Sequence, residues 1–508
     1  MNSVNKKPVS VMCKGFCLLL YILVAAALGQ LLWRIGKLNM LPGGYFLMLC
    51  GCALLILLLL GRLLLAGRAA WGRRLLGVLL SLPVLVGCIF GSSAVAKVQD
   101  TVTSITAPVK VNVVLEIYVR SDDPARFLQD TAGYTFGLPE DISEEEIAPV
   151  VDELRQILGT EPSCVVYPNI TAQMDALFSK EVDAVILNSA YLTVLEELEG
   201  YSDYASRIRL LHEKVVEKKP VEENQQMNLP PLPTRPERPE KQTGFLVYVS
   251  GVDSRRNVHT DGRSDVNILV AVNPVTHQIL MLNTPRDTYV INYASPEDSM
   301  DKLTHCGLNG TANSMASLGA LYGYAPEYYA RINFSGFETL VDAIGGVTIY
   351  SDVAFTANGS SYIRKGENHL NGKAALDFAR ERKSLAGGDN TRGKNQMKLI
   401  AAIVNQLSAD TVLRNYSQIL ESMEGMFVTS MPAEEIGKLV QTQILEMPQW
   451  QIFTYAITGE GASDRCWASG SYAYVMYPDE ASVAHASELI GKILDGEKLT
   501  EADIAQKN

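Results

Sequence analysis

Arginine and aspartate recur in two groups whose residue types suit phosphate chemistry. The first comprises Asp253, Arg255, Arg263, Asp265, Arg286 and Asp287; the second comprises Arg380, Arg382, Asp389, Arg392 and Gln396. A guanidinium fork matches two phosphate oxygens at once, so several together make a pocket for a polyanion. Paired carboxylates suit Mg²⁺, which takes few protein ligands and completes its shell with water and substrate phosphate. Together the two groups fit a metal–pyrophosphate site. A salt-bridged surface network accounts for the same residue types equally well at this level. Other chemistries lack their residues: the 6 histidines are scattered, without HExxH or Cys/His zinc spacing. No GxSxG elbow, Walker loop or dinucleotide fingerprint is present.

The first group needs a sheet edge to bring it together. Residues 244–250, 266–272 and 278–282 are apolar runs separated by turn residues, which predicts three neighbouring antiparallel strands. If the first runs up, the second runs down and the third up. Asp253, Arg255, Arg263, Asp265, Arg286 and Asp287 then converge at one end, where α/β folds build their sites. Helices are expected at 325–329, 337–344, 372–379 and 396–407, with a strand at 345–349 entered through the Gly345–Gly346 turn. Arg380 and Arg382 fall at or just past a helix end, because an i, i+2 pair cannot share a helical face. Arg392 and Gln396, at i and i+4, share one if their helix starts near Thr391. From residue 450 the tail reads as one strand, a polar Gly/Ser-rich loop and a closing helix at 482–494.

Upstream, residues 1–96 hold 9 Lys or Arg and no acidic residue, leaving 35 basic and 56 acidic residues beyond them. So acidic a bulk excludes wholesale nucleic-acid binding. Residues 15–33, 44–60 and 75–96 are each near the ~20 apolar residues that a membrane-spanning helix needs. Two further runs after the first argue against a cleaved signal peptide. Lys6, Lys7 and Lys14 precede the first span, and Arg62, Arg68, Arg73 and Arg74 separate the second from the third. The positive-inside bias therefore predicts a cytoplasmic N-terminus and an extracytoplasmic C-terminal bulk. Of the outer cysteines, Cys306 and Cys466 either pair, leaving Cys164 single, or all three stay as thiols.

Residues 97–216 read as a small α/β accessory domain. A strand is expected at 111–119, a capping-box helix at 143–158, a helix at 174–178, a strand at 184–187 and a helix at 193–198. Residues 217–243 are Pro-rich and charged, as in a semi-rigid linker, and 244–508 form the last domain.

The strings "GVDSR", "GRSDVNILVAVNP", "LNTPRDTYV", "INFSGFETLVDAIGGV" and "LNGKAALDFARERKS…GDNTRGKNQMKLIAAI" occur in this order within the stretch from Gly244 to Leu407. Together they resemble the LytR-CpsA-Psr family. The three spans, accessory domain and last domain resemble its capsule-associated members. The resemblance implies an α/β/α domain with a mixed central sheet. It also implies an extracytoplasmic phosphotransferase that moves a glycopolymer from undecaprenyl pyrophosphate to a peptidoglycan hydroxyl, with Mg²⁺ (or Mn²⁺) and a possible pyrophosphatase side activity. On that reading Asp253 and Asp265 hold the metal. Arg263, Arg286, Arg380, Arg382 and Arg392 grip the pyrophosphate with support from Gln396, and Asp287 and Asp389 orient the arginines. Asp253 is also a candidate to help with the acceptor's proton. One departure is Asn395, where the family usually carries a second Arg before the Gln; Lys394 beside it is at best a partial substitute. A groove for the lipid tail is expected near 337–344 and 397–404. The alternative function is a regulator that binds or hydrolyses the lipid pyrophosphate without ligase activity.

Overall fold

The structure is a computed structural model that describes residues 7–65, 71–107, 112–140, 142–217, 243–252, 262–295, 298–382, 384–385, 388–406, 415 and 418–505. Contacts divide the chain into two units, Met1–Ser104 with Met431–Gln449 and Ile105–Ser430 with Trp450–Asn508.

The first unit contains the helices Lys7–Leu38, Gly43–Leu64 and Trp71–Thr106. All three are long and apolar enough to cross a membrane. Cys17, Val24, Leu28, Leu60 and Cys88 meet in a shared seam, whereas Leu47, Leu55 and Phe90 remain exposed, as lipid-facing residues would be. The third helix continues ten residues past the apolar run ending at 96, into the polar stretch to Thr106.

In the second unit, the first lobe is a five-stranded sheet in the order Ser163–Tyr167, Thr135–Pro139, Ala184–Asn188, Asn112–Arg120, Ile208–Glu217. Its helix Glu144–Leu158 begins with the expected reciprocal cap between Ser143 and Glu146 and ends at Gly159, whose φ of 68° is left-handed. One sheet face buries Leu115, Ile117, Phe136 and Leu154. The other packs Met174, Leu177 and Val185 against Tyr191, Val194 and Leu195, and this core runs on into Leu308 and Ala468 of the second lobe. The two lobes therefore share buried residues.

The second lobe is built on a six-stranded mixed sheet in the order Phe427–Thr429, Tyr328–Asn333, Phe245–Val252, Ser264–Asn273, Gln278–Asn283, Gln451–Ala456. The three strands from Phe245 to Asn283 are consecutive and antiparallel, as their turns predict. Leu269, Ala271, Leu280 and Leu282 bury one face under helices Thr311–Tyr322 and Glu480–Asp495. Ile268 and Met281 bury the other under Met397 of helix Gly388–Gln406. That alternation gives the α/β/α layering.

Two local expectations fail. Residues 325–329 are no helix; the strand Tyr328–Asn333 begins there and runs parallel to Phe245–Val252. Tyr328, Tyr329 and Ile332 suit a pleated surface, and pairing with the central sheet decides the outcome. The polar loop expected after residue 450 is instead a hairpin, Gly459–Cys466 with Ser471–Pro478. Tyr472, Tyr474, Val475 and Tyr477 are strand formers, but the neighbouring Gly459, Gly461, Ser463 and Gly470 give the stretch the composition of a loop.

Candidate functional site

The antiparallel strands place the start of Ser264–Asn273 and the end of Gln278–Asn283 at the same edge of the sheet. The end of Phe245–Val252 lies there too, paired with Ser264. A buried polar set anchors this edge. Tyr248 Oη lies 2.7 Å from Ser264 Oγ and donates to Asn267 Oδ1 at 2.6 Å, while Ser250 Oγ and Ser264 Oγ are 2.8 Å apart. Arg263 and Asp265 flank the fixed Ser264 and so emerge at a defined place.

Above them opens a cavity of about 660 Å³ lined by Arg263, Asp265, Arg286, Arg380, Arg382, Arg392 and Gln396, with Glu197, Phe334, Asn358, Glu381 and others. Its size falls within the ~300–1,000 Å³ usual for small-molecule sites. Arg263, Asp265 and Arg286 thus meet as the strand reading expects, and Arg380, Arg382, Arg392 and Gln396 join them. Arg286 is buried and donates from Nη1 to Asp265 Oδ1 at 2.8 Å. Burial works against its charge, but Asp265, Asp287 and Glu197 outweigh burial and hold it protonated. The Asp265 carboxyl is likewise pushed up by burial, yet Arg286, Arg263 and Arg392 bring it below the ordinary carboxylate value. Arg392 Nη2 lies 3.5 Å from the Asp265 carbonyl.

The second group arrives on two helices. Helix Gly372–Arg380 stops at Arg380, and Glu381 is extended (φ −67°, ψ 129°), as the i, i+2 arginine pair requires. Glu381 is buried and accepts from the backbone N–H groups of Asn358 (2.6 Å) and Ser384 (2.9 Å), which pins the exposed Arg380 and Arg382 on either side of it. The Arg380 guanidinium lies 4.7 Å from the Phe334 ring centroid. Gln396 lines the cavity, but its amide donates to the Ala379 carbonyl at 3.2 Å, tying helix Gly388–Gln406 to the end of Gly372–Arg380. The contact between these helices and the sheet leaves no room at Gly393, where a Cβ would lie 2.1 Å from Asn283 Nδ2. Gly393→Ala is therefore expected to cost about 1–3 kcal/mol through overpacking and to lower the melting temperature, measured by calorimetry on the full chain.

The remaining expectations divide. Asp287 is buried and does not line the cavity; it lies 3.5 Å from Lys302 Nζ and 3.9 Å from Arg286 Nε. Asp253 and Arg255 lie outside the described residues, as does the side chain of Asp389. Asn395 is buried, and its Nδ2 has no partner among the described residues, while Lys394 is exposed and does not line the cavity. Lys394 therefore does not stand in for an arginine there. Within residues 337–344, Asp342 lines a separate cavity with Gly345, Gly346, Tyr362 and His369. Val341, Ile344 and Leu399 close into a core with Phe355 and Phe378, and Met397 lies against the sheet. Cys306 and Cys466 are buried free thiols and Cys164 is exposed.

Glu197 and Lys302 are the additions that sequence reading did not supply. Glu197 follows helix Leu192–Leu195 of the first lobe and reaches the cavity from the side. Its Oε1 accepts from Arg263 Nη1 at 2.6 Å and lies 3.4 Å from Arg286 Nη2, and its Oε2 lies 3.7 Å from Lys302 Nζ. Arg263 Nη1 also lies 3.2 Å from the Thr193 carbonyl. Nothing in "VLEELEG" distinguishes Glu197 from Glu196 or Glu199.

A divalent cation fits this donor set in a limited way. Asp265 offers an ionised carboxylate at the cavity wall with Oδ1 already engaged by Arg286. Among the described residues no three ligating side chains converge there, so phosphate oxygens and water would complete the shell.

The "LytR_cpsA_psr family" model matches residues 201–488. A protein named polyisoprenyl-teichoic acid–peptidoglycan teichoic acid transferase TagU from Halalkalibacterium halodurans is 34% identical over 261 residues, 49% of this chain and 79% of that protein. The protein of the same name from Oceanobacillus iheyensis is 30% identical over 252 residues, 48% of this chain and 75% of that protein. The crystal structure of B. subtilis TagV is similar at 23% identity with a TM-score of 0.42, covering 51% of this chain and all of that one.

Proposed function

From membership of the LytR-CpsA-Psr family, to which this chain belongs, we propose that it moves a glycopolymer from a polyprenyl-pyrophosphate carrier to peptidoglycan outside the cytoplasm, with a divalent cation. The observation that carries this reading is the cavity that Arg263, Arg286, Arg380, Arg382 and Arg392 line together with Asp265. The similar transferases are named for a polyisoprenyl-linked donor and a peptidoglycan acceptor, which supports reading the arginine-lined cavity as the place for the donor's phosphates. Sequence supports the orientation: Arg62, Arg68, Arg73 and Arg74 lie between the second and third apolar runs, at the end that the positive-inside bias assigns to the cytoplasm.

In this mechanism the arginines bind the diphosphate and neutralise the charge that grows on its oxygens as the lipid phosphate departs. The buried Arg286, fixed on Asp265, is already in place and needs no reorganisation. Arg380 and Arg382 sit at the open side, where they meet the glycan-bearing end. Mg²⁺, or Mn²⁺, would be held by Asp265 with Asp253 and would supply further charge neutralisation on the phosphoryl oxygens. Asp253 is the candidate to help with the acceptor's proton, although a carboxylate that also holds the cation is a weak base; Asp265 and Glu197 suit the role less well. Both of the latter are held ionised below the ordinary range, and a base tuned that way takes up protons poorly at neutral pH.

The test uses the full chain in nanodiscs carrying the lipid-linked glycopolymer, with peptidoglycan oligomers as acceptor. Linked product is expected with Mg²⁺, should vanish in EDTA and should return when Mg²⁺ is restored. Asp265→Ala is expected to slow transfer by about 100-fold or more. Undiminished transfer in EDTA would remove the cation from the mechanism, and a wild-type rate in Asp265→Ala would overturn the site.

A further inference from the structure

Glu197 lies outside the residues 201–488 that the family model matches, yet it touches the centre of the site. Its carboxylate engages Arg263 and Arg286, which line the cavity, and Lys302, which is buried behind them beside Asp287. Arg263, Arg286 and Lys302 are 12%, 7% and 6% exposed as side chains, so the contact is a shielded one and not a surface ion pair. It is also a built contact: helix Leu192–Leu195, just before Glu197, buries Val194 and Leu195 in the core shared with Leu308 and Ala468. Thr171 Oγ1 adds a hydrogen bond to the Ser469 carbonyl at 2.7 Å between the same two lobes. The lobe is thus held where its carboxylate meets the arginines.

Resting on the phosphate-pocket reading, we propose that Glu197 is a positioning residue that occupies a donor-phosphate subsite when the site is empty and yields it to a diphosphate oxygen. A carboxylate and a phosphate present the same geometry to a guanidinium fork. The donor diphosphate carries more negative charge than the carboxylate and so displaces it. After transfer, Glu197 returns to Arg263 and Arg286 and competes with the lipid phosphate left behind, which speeds its release. Glu197 is suited to this exchange by its ionisation. Burial raises its carboxyl pKa, but Arg263, Arg286 and Lys302 outweigh burial and keep it charged. The accessory lobe thereby sets how tightly the site holds phosphates.

The experiment measures binding of inorganic pyrophosphate with Mg²⁺ to the full chain in nanodiscs by calorimetry, and donor kinetics in the transfer reaction. Glu197→Gln keeps the shape and removes the charge. It is expected to tighten pyrophosphate binding about tenfold, to lower the KM for donor and to lower kcat as product leaves more slowly. A residue that merely props the arginines would give the opposite sign, with weaker binding and a raised KM. Either that result or unchanged affinity overturns this inference while leaving the pocket intact, provided Arg286→Ala loses pyrophosphate binding. Glu197→Asp, one methylene shorter, is expected to move affinity in the same direction as Gln. Absence of pyrophosphate binding in both wild type and Glu197→Gln would instead overturn the phosphate-pocket reading, and this inference with it.

Discussion

Replacing Arg286 with alanine is expected to lower the transfer rate by about 10³-fold, on the scale found when one preorganised donor to a developing oxyanion is removed. The expectation rests on its position: it is 7% exposed, bonded to Asp265 at 2.8 Å, and faces Glu197 and Asp287 as well. Removing it both strips the pocket of a guanidinium and leaves three carboxylates with less compensation, so folding must be checked alongside rate. Arg286→Lys separates these effects. It keeps the charge that offsets the carboxylates but not the fork that engages two oxygens, and should fold while still losing about 100-fold in transfer. A lysine variant with the wild-type rate would show that charge alone suffices and that the fork geometry is irrelevant.

The largest stability effect is expected at Asp301, which lies outside the cavity. Its carboxylate is fully buried and accepts from the backbone N–H groups of Lys302 (2.8 Å) and Ala468 (2.9 Å), and it lies 2.6 Å from His305 Nδ1. One side chain thereby joins the strand Met300–Lys302 to the turn of the hairpin Gly459–Pro478. Asp301→Ala leaves those donors without a partner and is expected to destabilise the protein by about 3–5 kcal/mol. Burial raises the Asp301 pKa, but His305 and the backbone donors outweigh it, so the folded-state value lies below the ordinary 3.8. A depressed carboxyl contributes stability that is complete above the unfolded-state value and is lost as pH falls through the folded-state value. Melting temperatures should therefore drop below about pH 4, and more steeply in the wild type than in Asp301→Ala. Parallel pH profiles in the two proteins would show that this carboxyl does not drive the acid loss.

How much of this was legible in the sequence depends on whether a residue's neighbours in space were also its neighbours in pattern. Apolar runs and turn residues within 245–283 report the three antiparallel strands directly, and with them the meeting of Arg263, Asp265 and Arg286. The i, i+2 spacing of Arg380 and Arg382 reports the helix end correctly. Other features arise only through tertiary contact. Residues 325–329 have no helix because the strand Tyr328–Asn333 pairs with Phe245–Val252, and the local preference of its tyrosines is decided only by that pairing. The outer hairpin hides because Gly459, Gly461 and Gly470 give a strand-forming stretch the composition of a loop. Glu197 hides among similar glutamates, and the docking that singles it out depends on Leu308 and Ala468, more than a hundred residues downstream. The apolar stripes at 337–344 and 397–404 show the converse: their periodicity announces burial but not whether the buried face meets a ligand or a core, and here it meets a core.

The continuous core between the lobes bears on how such a chain can be rearranged. Tyr191, Val194 and Leu195 are finished by Leu308 and Ala468, so neither lobe closes its apolar surface alone. Cut at the Pro-rich linker, each piece would carry a sticky half-face, and a lobe grafted from a relative would have to bring matching residues on both sides of the seam. The linker makes the lobes look like interchangeable modules in sequence, whereas the seam makes them co-inherited.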